Sequence, residues 1–206
     1  RTLPARDRYK LLISVVVPRP IALVTSLDEN GVLNAAPFSF FNVVGSDPAL
    51  VILGVGDRAP HTPKDTAHNI ASTGEFVVNL VDENLAEQMN ICSIDFPAGI
   101  SEVEAAKLET APSTQIKTPR LLASPVSLEC RQHTRLEIGR NRLIIGEVMQ
   151  LHIRDELIDE EKLYVRTEAM HAVGRMHGGG WYTKTDDQFL IPRQSYEEWR
   201  EGEARE

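Results

Sequence analysis

Short runs of apolar, β-branched residues alternate with turn-forming residues through the first half of the chain. Three of these runs predict strands, at residues 20–26 (PIALVTS), 50–55 (LVILGV) and 75–80 (EFVVNL), because each is bounded by Gly, Pro, Asp or Asn. The Asn30-Gly31 step after the first run is a strong hairpin signal, since both residues tolerate positive φ. The chain is therefore expected to reverse there and to return as a strand over residues 32–40.

The second half continues the β pattern, with a few helical segments between the strands. Further strands are predicted over residues 126–132, 141–153 and 163–165. Short helices are predicted over residues 66–73, 84–94 and 101–108, where Ser101 and Glu104 have the spacing of a capping box. Helices of this length are expected to decorate a sheet rather than form a layer. The pattern therefore predicts a mainly β fold with short α-helices, built as a closed or partly closed barrel.

The chain shows the composition of one globular domain. It has 206 residues, of which 42% are hydrophobic and 25% charged, and it contains no internal repeat, low-complexity segment or linker. We therefore expect a single domain over residues 1–206. Its core is expected at about residues 9–193, followed by a charged tail at 195–206 (SYEEWREGEARE) that forms an exposed or frayed helix.

Charge and residue usage exclude several classes of protein. The net charge of −8 argues against a nucleic-acid groove or a polybasic membrane surface, since both need a positive field. No apolar run approaches the ~20 residues of a membrane span, and the N-terminus lacks the pattern of a signal segment, so a cytoplasmic protein is expected. Cys92 and Cys130 are predicted to be buried free thiols. The histidines form no cluster, so no metal site is predicted.

The common catalytic motifs are absent from the sequence. It contains no GxGxxG after a strand, no GxxxxGK[ST], no GxSxG and no HExxH. Small polar residues do gather at predicted strand ends and at one helix start: Thr25, Ser26, Asn34, Ser39, and Lys64 with Asp65 and Thr66. Hydroxyls, a lysine and a helix N-terminus together suit a phosphate-bearing ligand. The alternative is that Asp65 or Thr66 caps the helix and Lys64 is a solvated charge.

Two further segments are candidates for ligand binding. In residues 34–41 (NAAPFSFF), the small residues allow a flat ring to approach, and Pro37 favours a sheet edge. The alternative is an ordinary strand end with a packed Phe pair. Residues 174–182 (GRMHGGGWY) place a cation, an imidazole and two aromatic rings around three glycines. This segment is either a lid over a ligand or a mobile loop.

At these residues the chain resembles the flavin reductase-like, FMN-binding split-barrel family. The ordered segments that carry the resemblance are residues 9–12 (YKLL), 18–26 (PRPIALVTS), 34–41, 64–66 with 69–70, 73–79 (TGEFVVN), 119–120, 129–130, 146–148 and 174–176. They span roughly residues 9–193. Each segment alone is weak, but a chance match in this consistent order is improbable.

The resemblance implies a homodimer of split barrels with one non-covalent FMN per subunit near the dimer interface. The positions it places near the isoalloxazine and ribityl chain are Thr25, Ser26, Asn34, Ala36, Phe38 and Ser39, and those near the phosphate are Lys64, Asp65 and Thr66. Arg19 and Arg175 match positions that approach the flavin or its substrate pocket. His177 lies in the variable part where substrate choice is expected, so Arg175 and His177 are the candidate catalytic residues.

The activity that the resemblance implies is hydride transfer from NADH or NADPH to FMN. Electrons then pass to free flavin, a partner oxygenase or a small acceptor, and the isoalloxazine carries this chemistry without a dedicated acid or base. Three alternatives stay open. They are an FMN-dependent oxygenase or reductase acting on an organic substrate, a non-catalytic flavin- or haem-binding protein, and a structural β-barrel partner.

Overall fold

The computed structural model describes residues 2–97 and 100–203. The helices are α1 (Ala5–Val15), α2 (Asp65–Thr73), α3 (Ala86–Ile91), α4 (Glu102–Ala105) and α5 (Tyr196–Glu203). The strands are β1 (Ala22–Leu27), β2 (Leu33–Phe38), β3 (Phe41–Ser46), β4 (Ala49–Gly56), β5 (Glu75–Leu80), β6 (Thr110–Ala111), β7 (Arg120–Leu121), β8 (Val126–Ile138), β9 (Asn141–Ile153), β10 (Ile158–Asp159), β11 (Tyr164–Val165), β12 (Val173–Arg175) and β13 (Tyr182–Lys184). Short 3-10 turns lie at Asp155–Leu157 and Thr167–Ala169.

Seven strands form one antiparallel sheet in the order β2-β1-β5-β8-β9-β4-β3. The predicted hairpin is confirmed, because β1 pairs with β2 with Ser26 opposite Asn34. Asp28 builds its turn, since Oδ1 accepts the N–H groups of Asn30 and Val32 at 2.9 and 2.7 Å. β2 and β3 are the two edges of the sheet, and they follow one another along the chain.

The sheet curls around a single apolar core, which makes it a barrel. Each of its seven strands contributes: Ala22, Val24, Phe38, Phe41, Val51, Leu53, Val55, Phe76, Val78, Val126, Leu128, Cys130 and Ile144 are all buried in it. α2 closes this core with Ala67 and Ile70. Burial of such side chains is worth roughly 25 cal/mol per Å² of apolar surface, so this cluster holds the barrel together.

A second core lies on the outer face of β1 and β2. Leu23 and Ala35 point to this side because neighbouring strand residues face opposite ways. Leu85 and Met89 from the α3 region and Val103 from α4 pack against them. The helices therefore cover apolar surface on the outside of the barrel, in agreement with the prediction of short helices that decorate a sheet.

Several predicted elements differ from the observed ones. α1 and β3 were not predicted; α1 shows little periodicity because Ile13 is its one buried residue. The capping box at Ser101 is wrong, because no side chain caps α4 and the Ser101 hydroxyl donates instead to the Leu33 carbonyl at 2.9 Å. The predicted tail helix is present as α5, and it begins with a reciprocal pair of bonds between Ser195 and Glu198.

Both cysteines are free and buried, as predicted. Burial raises the pKa of each thiol, that of Cys92 to about 12, so neither is a ready nucleophile. Across residues 2–97 and 100–203, we find no helix with the length and apolar character needed to cross a membrane.

Candidate functional site

β2 carries an outer edge that pairs with no other strand, so its polar backbone groups need other partners. α4 covers the first half of this edge. Ser101 donates to the Leu33 carbonyl, and the Ala35 N–H donates to Glu102 Oε2 at 3.2 Å. Pro37 follows at the next outward position, where its missing N–H leaves no donor unpaired. Backbone groups in the first half of this edge therefore have hydrogen-bond partners other than a strand. The second half of the edge stays accessible.

Two adjoining cavities lie where β2 begins. One has a volume of about 260 Å³ and the other about 80 Å³. They share Asn34 of β2, Asp65 of α2 and Glu102 of α4. The smaller cavity is also lined by Ala36, Pro37, Arg58, Lys64, Thr66, Cys92, Ser93, Ile94 and Asp95. Five predicted site residues therefore meet in one small cavity: Asn34, Ala36, Lys64, Asp65 and Thr66.

The N-terminus of α2 opens into the smaller cavity. Lys64 is the N-cap residue, and no side chain caps the helix there. Asp65 forms an ion pair with Arg58 at 2.7 Å, while the Thr66 hydroxyl accepts a hydrogen bond from Asn34 Nδ2 at 3.1 Å. The alternative in which Asp65 or Thr66 caps the helix is therefore wrong. First-turn N–H groups and the positive end of the helix dipole, beside two cations, make a site suited to an anion.

Glu102 is a buried carboxyl beside these cations, and sequence reasoning missed it. Burial raises its pKa, and Asp65 adds to the rise, while the bond from Ala35 and the charge of Arg58 oppose it. Arg58 was missed as well, because it lies in a loop seven residues before its partner Asp65. The sequence signal that could have identified Arg58 was its position as a charged residue shortly before the Lys64-Asp65-Thr66 group.

Thr25, Ser26 and Phe38 lie in the protein interior. The Thr25 hydroxyl donates to the Pro119 carbonyl at 2.8 Å, and Asn69 donates to the Ser26 hydroxyl at 3.2 Å. Phe38 is part of the barrel core. In this structure these three side chains hold β1 and β2 in place, and their polar atoms bind protein partners.

A second group of predicted residues gathers at the other end of β2, around the buried guanidinium of Arg19. Arg19 Nη1 donates to the carbonyls of Ile13 and Val16 at 2.6 and 2.8 Å, which satisfies the C-terminal end of α1. Nη2 donates to Met176 at 2.8 Å and Nε to the Ser39 hydroxyl at 3.2 Å. Arg19 thus ties α1, β2 and the Met176 segment together.

Residues 174–182 form the β12–β13 hairpin. Arg175 and Arg19 exchange backbone hydrogen bonds of 2.9 and 2.8 Å, and the Arg175 guanidinium lies 4.6 Å from the centre of the Tyr182 ring. Gly174 permits this close approach, because a Cβ there would lie 2.8 Å from Pro18 Cβ. His177 is exposed, beside Trp181. This segment is therefore a hairpin whose two strands pair at its base. Its candidate catalytic residues, Arg175 and His177, lie near the end of β2 that is next to Arg19.

The predicted site residues thus form two groups at opposite ends of one edge strand. Asn34 and Ser39 are five positions apart, which is about 17 Å at ~3.3 Å per strand residue. Arg175 and His177 do not line either cavity at α2. The structure brings Lys64, Asp65 and Thr66 together with Asn34 and Ala36, two of the residues predicted near the ring and ribityl chain. Ser39, predicted near the ring as well, lies instead with Arg19 at the other end of the strand.

One group of described residues consists of side chains of the types that bind metal ions. Ligand atoms of Glu83, His171 and Asp186 lie within 4.8 Å of one another, and no ion site was predicted there because the three are distant in sequence. Lys184 Nζ already pairs with Glu83 at 2.7 Å, which supplies a positive charge to this carboxylate. We assign no metal to it.

Comparison with known proteins places the chain in a family. The flavin reductase like domain family matches residues 14–174. A 2-nitrobenzoate 2-nitroreductase from Pseudomonas fluorescens is 40% identical, with a TM-score of 0.85 over 94% of each chain. Nitrilotriacetate monooxygenase component B from Bacillus cereus is 33% identical, with a TM-score of 0.88 over 92% of this chain and 95% of that one.

A third solved structure identifies the type of barrel. It is a protein with a split barrel domain from Shewanella frigidimarina, 20% identical to this chain, with a TM-score of 0.82 over 94% of this chain and 95% of that one. At this identity the likeness concerns the fold, which agrees with the seven-stranded barrel described above. The chain therefore belongs to the flavin reductase like domain family and has the split-barrel fold.

Proposed function

We propose that the chain is a cytoplasmic, FMN-dependent oxidoreductase that takes hydride from NADH or NADPH. The observation that carries the proposal is the placement of an anion-suited cavity and a guanidinium cluster at the two ends of one edge strand. A ligand with a phosphate at one end and a planar ring at the other matches this arrangement. The family to which the chain belongs supports a flavin as that ligand.

The phosphate end of the ligand is assigned to the smaller cavity. Lys64 supplies a positive charge there, and the uncapped first turn of α2 supplies N–H donors. Thr66 and Asn34 are already bonded to each other, which orients both side chains at the cavity wall. A charge-assisted contact to a phosphate is worth about 1.5–3 kcal/mol, so each of these groups would add to the affinity for a mononucleotide.

The ring end is assigned to the second half of β2, next to Ser39 and the β12–β13 hairpin. Ala36 and Pro37 present little side-chain bulk along this edge, which leaves room for a flat ring. When bound, the flavin supplies the hydride-accepting chemistry. The residues of the chain need only orient the nicotinamide over the ring and stabilise negative charge, for which Arg175 is the candidate cation and His177 a candidate substrate contact.

We further propose that the chain acts as a homodimer. Val43 and Val44 of the edge strand β3 are exposed, as are Leu12 and Val15 of α1. A soluble monomer rarely leaves such residues in contiguous apolar patches, which are typical of protein interfaces. A second copy of the same chain is the simplest partner, since most soluble oligomers are symmetric.

Two acceptors are favoured by particular relatives. The likeness to component B of nitrilotriacetate monooxygenase favours delivery of reduced flavin to a partner oxygenase. The likeness to a 2-nitrobenzoate 2-nitroreductase favours direct reduction of an organic substrate, such as a nitroaromatic compound. Formation of a reduced organic product separates the second function from flavin turnover alone.

The deciding experiment is an FMN titration of the purified protein, followed by anaerobic addition of NADH or NADPH. Retained absorbance bands near ~370 and ~450 nm that bleach with either nucleotide support the reductase function. A yellow protein that bleaches with neither nucleotide contradicts NAD(P)H dependence and supports a binding role. A protein that retains no flavin contradicts the proposal as a whole.

A further inference from the structure

The chain ends in an arm that makes little use of its own barrel. We define the C-terminal arm as residues 187–200, which follow β13. Phe189, Leu190 and Ile191 are consecutive, and they are 86%, 86% and 76% exposed. The free energy of exposing three large apolar side chains to water is several times the ~0.8 kcal/mol for one CH₂ group. Such a segment is typical of a chain that is covered by a partner.

The arm also carries a helix whose start is specified locally. The Glu198 N–H donates to the Ser195 hydroxyl at 3.2 Å, and the Ser195 N–H donates to Glu198 Oε2 at 2.7 Å, which is a complete capping box. Tyr196 and Trp199 lie on one face of α5 with their ring centres 5.9 Å apart, and both are exposed. The helix therefore presents an aromatic face that the described part of its own chain leaves exposed.

α1 offers a surface of matching character. Leu11, Leu12 and Val15 are all exposed, and Ile13 is the one buried residue of this helix. A helix of 11 residues is marginal in water without packing along a face. Arg19 fixes its C-terminal end, so the exposed apolar residues are held in a defined position. α1 therefore has a rigid attachment and an outer face without a cover.

The two segments have opposite charge. α1 carries three cations and one acid within its sequence ARDRYKLLISV. The C-terminal arm carries three acids, Asp187, Glu197 and Glu198, against two cations, Arg193 and Arg200. Opposite charge around apolar contacts favours one pairing over others and raises the rate of encounter. Two copies of α1 would instead bring like charges together, because its cations outnumber its one acid.

We propose that the C-terminal arm of one copy docks on α1 of a second copy, with Phe189, Leu190 and Trp199 as its apolar anchors. The occupant of the exposed face of α1 is thus the arm of the partner subunit. This inference rests on the proposed homodimer and adds the segments that form the contact. Because Arg19 joins α1 to the Met176 segment, the docked arm also lies near the β12–β13 hairpin of the other subunit.

Cysteine cross-linking tests the contact in the full chain. Ser14→Cys places a thiol on the exposed side of α1, and Gln194→Cys places one in the arm, while both native thiols are buried and unreactive. The two variants are co-expressed with different tags and treated with a short bis-maleimide. We expect a covalent dimer that carries both tags. A cross-link between two copies of the Ser14→Cys variant would show an α1–α1 contact and overturn the proposal. A chain that carries both substitutions and cross-links only within itself would also overturn it.

A pair of serine variants measures the contribution of the arm. Leu190→Ser is expected to raise the dissociation constant of the dimer about tenfold or more, since one buried Leu is lost. Leu163→Ser is the matched control, because Leu163 is 85% exposed and lies outside both segments. Equal dissociation constants for the two variants would overturn the proposal. FMN binding is measured on the same samples: cross-linked protein without FMN contradicts the proposed FMN-dependent activity alone. FMN-loaded monomer contradicts the homodimer and the arm contact together, and an FMN-loaded dimer without a cross-link between the two tags contradicts the arm contact alone.

Discussion

Arg58 Nη2 lies 2.7 Å from Asp65 Oδ2 at the mouth of the smaller cavity. The pair joins the loop after β4 to the first turn of α2, and each charge largely neutralises the other. Among residues 2–97 and 100–200, no carboxylate lies within 4.0 Å of the Lys64 ammonium group. Lys64 is therefore the cation at this site whose charge is available to a ligand.

Lys64→Gln is expected to weaken FMN binding by about 1.5–3 kcal/mol, because one charge-assisted phosphate contact is lost. Affinity for riboflavin, which lacks the phosphate, should stay unchanged. Fluorescence titration with both ligands makes the measurement. Lys162→Gln, on the exposed β10–β11 hairpin, is the control. Equal FMN affinity for the Lys64 variant and the wild type would remove Lys64 from the site.

Arg175→Ala is expected to slow flavin reduction more than it weakens FMN binding. The guanidinium rests on the Tyr182 ring at the end of β2 away from the phosphate cavity, so it is placed to act on the nicotinamide end. Anaerobic stopped-flow measurement with NADH gives the rate. Arg166→Ala, at an exposed position outside the β12–β13 hairpin, serves as the control. Reduction at the wild-type rate would contradict this role.

Arg19→Lys is expected to destabilise the fold by about 2–4 kcal/mol, because an ammonium group cannot replace the four contacts of the buried guanidinium. Ser39→Ala, which removes one of these contacts, should cost about 1 kcal/mol. Urea unfolding without added flavin measures both. A loss for Arg19→Lys no larger than that for Ser39→Ala would show that Arg19 does not clamp the structure. Unchanged FMN affinity in the folded variant would remove Arg19 from the flavin contacts.

The pH dependence of stability should differ between the wild type and Glu102→Gln. Burial raises the pKa of Glu102 above its ordinary value of 4.5, so the folded chain holds this proton more tightly than the unfolded chain. Its contribution to stability is therefore fully present below pH 4.5 and is lost as pH rises through the folded pKa. Relative to the wild type, Glu102→Gln should gain stability over that range. Urea unfolding at a series of pH values measures the difference, and parallel curves for the two proteins would contradict it.

The local elements of the barrel could be predicted from the sequence. The bounds of β1, β4, β5 and β9 were predicted within a few residues. A strand with one buried face can be recognised from its composition and from the turn residues at its ends. The start of α2 was predicted within one residue for a similar reason, since a helix start is a local signal. α1 was missed because Ile13 is its one buried residue, which leaves little helical periodicity in its sequence. The capping box at Ser101 was wrong because the Ser101 hydroxyl donates to the Leu33 carbonyl on β2.

The sequence by itself determined six of the seven strands of the sheet, where the first hairpin turns, and the family to which the order of motifs belongs. Only the tertiary structure decided what several of those residues do. Arg19 binds Met176, 157 positions away, and thereby clamps α1, while Glu102 reaches Ala35 across 67 positions to cover the edge of β2. Strand order and register create these partnerships, and residues so far apart meet only when the whole barrel has closed. Local sequence patterns reflect propensities over a few residues, so they do not indicate contacts between residues this far apart.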